Sequence, residues 1–233
     1  MKSIFLIFVL IISANANVNV VCKAGIMDNN SAETYINKLL KKEPNNIECI
    51  LKLANIYLKS GELLKGYKLI TRAYNTNPLV VGQSDMSNIL PYALKMTKLA
   101  KRAKKNKNKF LWNQVGNNFF DMGVYSESIK SYEKSLALDL KQPEIGLKLA
   151  LSYQKSNQID NAVDQLFTLV EHNAKDFYAN YYLGKILRYS ITDDDSAVKY
   201  FANAKEILSS KKDDFTDIEF TSFMNDIKME LGK

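Results

Sequence analysis

Residues 109–142 read KFLWNQVGNNFFDMGVYSESIKSYEKSLALDLKQ, and residues 143–176 read PEIGLKLALSYQKSNQIDNAVDQLFTLVEHNAKD. The two stretches align without a gap at a spacing of 34 residues. Small residues recur at matching places: Gly116 with Ala150, and Ser128 with Ala162. Large apolar residues recur between these places at helical spacing. A fixed period of this length indicates a repeat protein built from pairs of helices.

The same period continues on both sides of the quoted stretch. Pro44 and Pro78 are also 34 residues apart, and the fourth unit keeps the pattern with one extra residue in the turn around 193–195. The predicted segments are an N-terminal cap and half repeat at 17–46, full units at 47–80, 109–142, 143–176 and 177–211, an irregular basic helical segment at 81–108, and a C-terminal capping helix at 212–233. The series resembles the tetratricopeptide repeat (TPR), a pair of antiparallel helices.

The resemblance implies an all-α fold, a TPR-like right-handed helical solenoid of antiparallel helix pairs with terminal capping helices. It also implies protein binding, because the first helix of each pair, helix A, lines the concave face of such arrays. Outward positions of these helices form the predicted partner-binding groove: Asn55, Asn113, Asn117, Tyr178, Tyr181, Lys185, Arg188 and Tyr189. Tyrosine and arginine are frequent in binding hot spots. Packing between repeat helices is the other interpretation of these tyrosines.

Three segments outside the full units are predicted to be helical. Residues 31–42 are predicted as helix B of the half repeat, after a shortened helix A at about 17–28. The irregular segment is predicted to hold a short helix before Pro91 and a longer one from Pro91 to about Lys105. At the C-terminus, 214–231 is predicted as one helix with acidic or polar residues outward. The residues expected to face inward are Phe215, Ile218, Phe223 and Ile227.

Residues 1–16 are typical of a secretory signal peptide. The stretch MKSIFLIFVLIISANA has a cation at Lys2, an apolar run over 4–12, and small residues at Ala14 and Ala16. The apolar run is shorter than the roughly 20 residues that a membrane-spanning helix needs. Cleavage is therefore expected after about Ala16, with no transmembrane span in the mature chain. The mature protein is predicted to be exported, either periplasmic or secreted, with a protein or peptide partner in the cell envelope.

The chain has two cysteines, Cys22 and Cys49. In an exported protein they can pair into a disulfide, and two separate buried thiols are the alternative. A bridge requires Cα atoms within about 7 Å of each other. A metal site is not predicted, because the chain has a single histidine and no CxxC motif.

The positive charge of the chain is concentrated where the period breaks. The formal net charge is +7, and eight cations with no acid occur within 95–109, so the rest of the chain is close to neutral. The predicted basic patch consists of Lys98, Lys101, Arg102, Lys104 and Lys105. Such a patch suits an acidic protein or an anionic lipid or polymer, and a solvated helix face is the alternative. Nucleic acid is not favoured, because the run has one arginine and almost no aromatic residues for stacking.

No catalytic motif occurs in the sequence. It contains no nucleophile with a base, no paired carboxylates and no phosphate-binding loop. The chain is therefore predicted to be non-enzymatic and to need no cofactor. The predicted function is that of an exported TPR scaffold or adaptor that mediates protein–protein interaction, in the assembly of a cell-envelope complex. The alternative function is binding of anionic lipid or polymer surfaces through 95–109.

Overall fold

A computed structural model describes Cys22 and residues 28–232. The predicted signal peptide lies outside the described residues, as does nearly all of the shortened helix A expected at 17–28.

The described residues are mostly helical and form no strand. Between residues 28 and 232, twelve α-helices follow one another: α1 (Asn29–Lys42), α2 (Ile47–Lys59), α3 (Leu63–Thr76), α4 (Pro78–Gly82), α5 (Leu90–Lys105), α6 (Lys109–Asp121), α7 (Tyr125–Leu136), α8 (Pro143–Lys155), α9 (Ile159–His172), α10 (Phe177–Ile186), α11 (Asp194–Ser210) and α12 (Asp217–Leu231).

Consecutive helices pack as antiparallel pairs, α2 with α3, α6 with α7, α8 with α9 and α10 with α11. These pairs lie within the predicted units at 47–80, 109–142, 143–176 and 177–211. The pairs also contact each other in sequence, since α7 packs on α8 and α9 packs on α10. Each pair thus buries its apolar face against its neighbours, as in a repeat array. The predicted all-α, TPR-like arrangement of antiparallel helix pairs is confirmed.

The small residues of the period lie where two helices approach most closely. A Cβ added at Gly116 would overlap the ring of Tyr132, which is fully buried on α7. A Cβ at Gly184 would lie 2.9 Å from the ring of Phe201 on α11. The repeated alternation of small and large residues therefore sets the distance between helices A and B.

The turns between helices A and B repeat as well. Gly123 has φ = 72°, and Asn157, which lies one period later, has φ = 60°. Both residues are in the left-handed region, which glycine and asparagine adopt more readily than other residues. The turn chemistry thus follows the same 34-residue period as the core.

The extra residue of the fourth unit lies one turn earlier than predicted. After α10 the chain forms a π-helical turn at Leu187–Ile191, followed by Thr192 in the left-handed conformation with φ = 63°. A π turn accommodates one residue more than an α turn. The insertion is therefore absorbed at the end of helix A, and Asp193 caps α11 by accepting a hydrogen bond from the backbone N–H of Ser196 at 3.0 Å.

The irregular segment consists of the short α4 and the 16-residue α5. Pro91 lies in the first turn of α5, as the sequence predicted. The apolar face of α5 is buried against α3, and its buried residues are Ala93, Met96, Ala100 and Ala103. The cations of the basic patch are consequently left on the remaining faces of α5.

The terminal helix α12 differs from its prediction in two ways. Ile218 is 83% exposed, so its expected inward orientation is wrong. The inward side is formed by Phe220, Phe223, Met224, Ile227 and Leu231. The expectation that acidic residues face outward is also wrong for Glu230, which is 3% exposed. Over residues 28–232, no helix combines the length and apolar character needed to cross a membrane.

Candidate functional site

The predicted groove on the last unit is covered by the chain's own α12. The Tyr181 hydroxyl donates to Asp226 at 2.6 Å, and Lys185 Nζ lies 3.0 Å from the same carboxylate. Tyr181 is 8% exposed. Burial first, and then the Asp226 carboxylate, raise the pKa of Tyr181 above the ordinary value of a tyrosine.

A second acid of α12, Glu230, completes this contact. Its carboxylate lies 3.2 Å from Arg188 Nη1 and accepts a hydrogen bond from the Tyr189 hydroxyl at 2.5 Å. Arg188 Nη1 also donates to the Glu230 carbonyl. The carboxylate of Asp194 lies 3.3 Å from Arg188 Nε without the alignment of a hydrogen bond. The Arg188–Glu230 pair is almost fully buried, at 9% and 3% exposure.

The expectation that Tyr181 and Arg188 are open to a partner therefore needs correction. Both are buried because α12 packs over the end of the array and supplies carboxylates to them. Tyr178 and Tyr189 remain partly exposed at the margin of this contact.

The predicted asparagines join neighbouring helix pairs. Asn113 Nδ2 donates to Gln142 Oε1 at 3.0 Å, and Gln142 is the residue that precedes α8. Asn117 Oδ1 accepts hydrogen bonds from the Tyr132 hydroxyl at 2.9 Å and from Lys148 Nζ at 3.2 Å. Asn55 is half-buried on α2. Asn117 thus links three helices, α6, α7 and α8, while it also borders a cavity next to α5.

That cavity, the α5–α6 groove, has a volume of about 510 Å³. Its lining residues are Lys95, Lys98, Leu99 and Arg102 of α5, with Gln114, Asn117, Asn118 and Asp121 of α6. Three cations spaced at i, i+3 and i+7 share one face of α5. Opposite them stand three carboxamides, which both donate and accept hydrogen bonds. The groove combines positive charge with groups that fit a peptide backbone.

Other cations of the basic patch face a different cavity. The lysine-rimmed cavity has a volume of about 610 Å³ and lies between α3, α5 and α7. Its lining residues are Leu64, Lys68, Thr97, Ala100, Lys101, Lys104, Lys107, Trp112, Lys134, Ala137 and Leu138. Lys105 borders neither of these two cavities. The basic patch is therefore two separate surfaces on opposite sides of one helix.

The sequence pattern did not reveal Lys68, Lys134 or Trp112 as part of a site. Lys68 and Lys134 come from α3 and α7, which are far from the basic patch in sequence. Lys134 Nζ lies 4.8 Å from the centre of the Trp112 ring, within the range of a cation–π contact. These side chains come together only because α3, α5, α6 and α7 border the same cavity.

The two cysteines are neighbours, and no disulfide joins them in the structure. Both are free thiols with 0% exposure. The Cys22 carbonyl accepts a hydrogen bond from Lys52, one turn after Cys49 on α2. Burial first, and then a hydrogen bond with the Cys22 thiol, raise the pKa of Cys49 to about 12. The disulfide stays a prediction, and the two thiols are in contact as that prediction requires.

A third cavity of about 740 Å³ lies between α7, α8 and α9. Its apolar wall includes Leu136, Leu149 and Leu169. Its charged residues are of both signs, so its lining favours no ligand class. In the described part of the chain, no group of three His, Cys, Asp or Glu side chains is placed to hold a metal ion.

No protein-family model and no curated protein sequence matches the chain. Among solved structures, a crystal structure of MamA has a sequence that is 21% identical to this chain. The match covers 81% of this chain and 92% of the MamA chain, with a TM-score of 0.43. MamA from Desulfovibrio magneticus is 12% identical to this chain. The match covers 78% of this chain and 87% of that MamA chain, with a TM-score of 0.43. The TPR2AB domain of yeast Sti1, in a complex with pHSP90, is 13% identical to this chain. The match covers 86% of this chain and 79% of the Sti1 chain, with a TM-score of 0.46. Nothing about the ligands of this chain follows from these likenesses.

Proposed function

We propose that this protein is a non-catalytic scaffold that holds an acidic segment of another protein in the α5–α6 groove. The single observation behind the proposal is the placement of Lys95, Lys98 and Arg102 opposite a row of carboxamides around an open cavity. Cations attract the acidic side chains of a segment, and carboxamides bond to its backbone.

The electrostatics of the groove favour an acidic partner. In the described part of the chain, none of the three cations forms an ion pair with a carboxylate of the protein. Asp121 is the one acid in the lining, and it disfavours an acidic side chain at its own end of the groove. A bound acidic segment would therefore have a preferred orientation. Attraction of this kind weakens as salt rises.

The signal peptide predicted at 1–16 supports placing this activity outside the cytoplasm. We propose that the partner is a component of the cell envelope and that the protein helps to assemble a complex there. Fusion of residues 1–30 to a reporter enzyme that is active only after export tests the location. An inactive fusion, alongside an active fusion to an established signal peptide, would refute the envelope assignment and leave the groove assignment standing.

Binding to the groove is measured with a dye-labelled acidic peptide of about eight residues, and with its amide counterpart in which every acid is replaced by Gln or Asn. We expect saturable binding of the acidic peptide alone. The double variant Lys98→Glu with Arg102→Glu should weaken it by at least about tenfold, or about 1.4 kcal/mol. Lys104→Glu with Lys105→Glu is the matched control, since it reverses two charges on the same helix outside the groove. Equal losses in both variants would mean that only the general charge of the patch attracts the peptide.

A second candidate function is binding to an anionic lipid or polymer surface through 95–109. The observation that favours it is the exposure of Lys98, Lys101, Arg102, Lys104 and Lys105. Co-sedimentation with anionic vesicles over a salt series measures such binding. Charge reversal of Lys101, Arg102, Lys104 and Lys105 together should abolish it, and unchanged binding would exclude this function.

A further inference from the structure

We propose that the lysine-rimmed cavity binds a small anion that carries an apolar chain, such as a medium-chain carboxylate. The site lies on the opposite side of α5 from the α5–α6 groove and does not depend on the proposed peptide binding. Its evidence is a floor of apolar side chains inside a ring of five lysines.

The floor of the cavity is apolar and closely packed. Leu64 and Trp112 are only 6% and 7% exposed, and Ala100 is 4% exposed. Ala137 and Leu138 extend this apolar lining along the end of α7, where Leu138 is 42% exposed. Burial of an apolar chain against this lining is favourable by about 25 cal/mol per Å² removed from water.

The rim of the cavity has an excess of positive charge. Its five lysines come from α3, from α5 and the turn after it, and from α7: Lys68, Lys101, Lys104, Lys107 and Lys134. No acid lines the cavity. Within the part of the chain that the structure describes, none of the five forms an ion pair. An anion bound here would be the one negative charge in the lining of the cavity.

Lys134 lies near charges of both signs and over the ring of Trp112. Burial lowers its pKa, and the positive charges of Lys68 and Lys130 lower it further, while Glu127 and Glu133 act in the opposite direction. Glu127 is already engaged, because its carboxylate accepts a hydrogen bond from the backbone N–H of Leu64 at 3.3 Å and lies 4.0 Å from Lys130. An anionic head group next to Lys134 would relieve the repulsion among the lysines.

The size of the cavity is sufficient for a small molecule. A volume of about 610 Å³ falls in the range of small-molecule pockets. A single turn of an α-helix, about 10 Å across and about 5.4 Å long, would nearly fill it. A solvated helix face, which is the alternative for these lysines, would not surround a buried tryptophan and leucine.

The occupancy of the cavity can be read from Trp112, which is the only tryptophan of the chain. We would titrate the full chain with decanoate and follow the tryptophan emission. Decanol has the apolar tail of decanoate without its charge. Butyrate has the charge but only a short apolar tail. We expect one saturable shift of the emission with decanoate, and binding at least about tenfold weaker with decanol and with butyrate. No saturable response to decanoate, or an equal response to decanol, would overturn the proposal.

Neighbouring lysines of α5 supply a matched pair of variants. Lys104→Glu reverses a charge on the rim, and Lys105→Glu makes the same change at the adjacent residue, which borders neither the cavity nor the α5–α6 groove. We expect Lys104→Glu to weaken decanoate binding by at least about tenfold and Lys105→Glu by less than about twofold. Ala137→Leu fills the exposed edge of the cavity without a change in charge and should also weaken binding. Equal effects at Lys104 and Lys105 would mean that the anion senses only the overall charge, and the site would be rejected.

A free carboxylate and a lipid in a membrane share this chemistry, and vesicles separate the two sources. The protein is mixed with phosphatidylglycerol vesicles and, separately, with phosphatidylcholine vesicles. If the ligand is a membrane lipid, phosphatidylglycerol vesicles should reproduce the emission shift with the same dependence on Lys104. A shift with decanoate but not with vesicles identifies a free amphiphile. A vesicle response that is the same in Lys104→Glu and Lys105→Glu would contradict the site.

Discussion

The hydroxyl of Tyr181 on α10 donates a hydrogen bond to the carboxylate of Asp226 on α12 at 2.6 Å. This contact places the terminal helix over the face of the last helix A that was expected to receive a partner. One turn further along α12, Glu230 meets Arg188 in the same way. The acidic helix α12 therefore covers the end of the array. Tyr181 and Arg188 hold α12 in place instead of facing a partner.

The buried pair of Arg188 and Glu230 should matter most for the stability of this end. Removal of one member leaves a buried charge without its partner, which costs about 3–5 kcal/mol. We expect Glu230→Ala to lower the free energy of unfolding by about 3 kcal/mol in urea denaturation. Met229→Ala, at a neighbouring residue that is 63% exposed, is the control and should change it by less than about 0.5 kcal/mol. A loss below about 1 kcal/mol for Glu230→Ala would show that α12 does not depend on the pair.

The close approach of α6 and α7 gives a second prediction. A methyl group at Gly116 would overlap the buried ring of Tyr132, so Gly116→Ala should destabilise the protein by about 1–3 kcal/mol. At Gly82, the last residue of α4, nothing lies within 4 Å of an added Cβ. Gly82→Ala should therefore be neutral or stabilise by up to about 1 kcal/mol, because alanine loses less backbone entropy on folding. Thermal unfolding of the two variants measures both changes in stability. If Gly82→Ala destabilised the protein as Gly116→Ala does, the contact with Tyr132 would not explain the effect at Gly116.

The helix pairs could be predicted because they depend on local periodicity. The recurrence of small residues such as Gly116 and Gly184 at the repeat period indicates where two helices approach closely. The start of α12 was also visible in principle, since Thr216 and Glu219 cap each other in a capping box. That cap starts the helix at Asp217 and turns Ile218 outward, whereas the prediction began the helix three residues earlier.

The contacts between units could not be predicted in the same way. The spacing of Lys95, Lys98 and Arg102 separates them from Lys101 on a helical wheel, but it does not show what lies opposite each face. Lys134 joins the lysine-rimmed cavity from another helix pair because residues of α3, α5 and α7 line the same cavity. Such contacts arise from tertiary packing, which a single sequence without relatives does not report.

The thiol of Cys49 should be inert in the folded protein. Its pKa is raised to about 12, chiefly by burial and then by the neighbouring Cys22 thiol, and only the thiolate reacts with alkylating agents. At pH 8 we expect iodoacetamide to modify the reduced native protein at least ~10²-fold more slowly than the same protein in urea. Mass spectrometry of the labelled chain measures this. Rapid labelling of the native chain would refute the burial of the thiol.

The same labelling separates the two states of the cysteines in protein purified after export. If Cys22 and Cys49 are bridged, neither is labelled in urea until a reductant is added. Two labels in urea without reductant would exclude the predicted disulfide in that preparation.

The contact between α1 and α2 predicts how stability changes at alkaline pH. The Tyr57 hydroxyl donates to Glu33 at 2.6 Å, and burial together with this carboxylate raises the pKa of Tyr57 to about 12. An unfolded tyrosine has a pKa of about 10. The folded chain therefore holds this proton more tightly than the unfolded chain does. The stabilisation is fully present below about pH 10 and is lost as the pH rises through about 12.

Urea denaturation between pH 8 and pH 11 should show this loss as a fall in the free energy of unfolding. Tyr57→Phe removes the titrating group, so its stability should fall less steeply over the same range. A residual slope is expected in that variant, because burial also raises the pKa values of Tyr132, Tyr153 and Tyr181. Glu33→Gln keeps the tyrosine but removes the charge opposite it, and should give an intermediate slope. If all three proteins lose stability in parallel above pH 10, the contact between Tyr57 and Glu33 does not contribute to the alkaline transition.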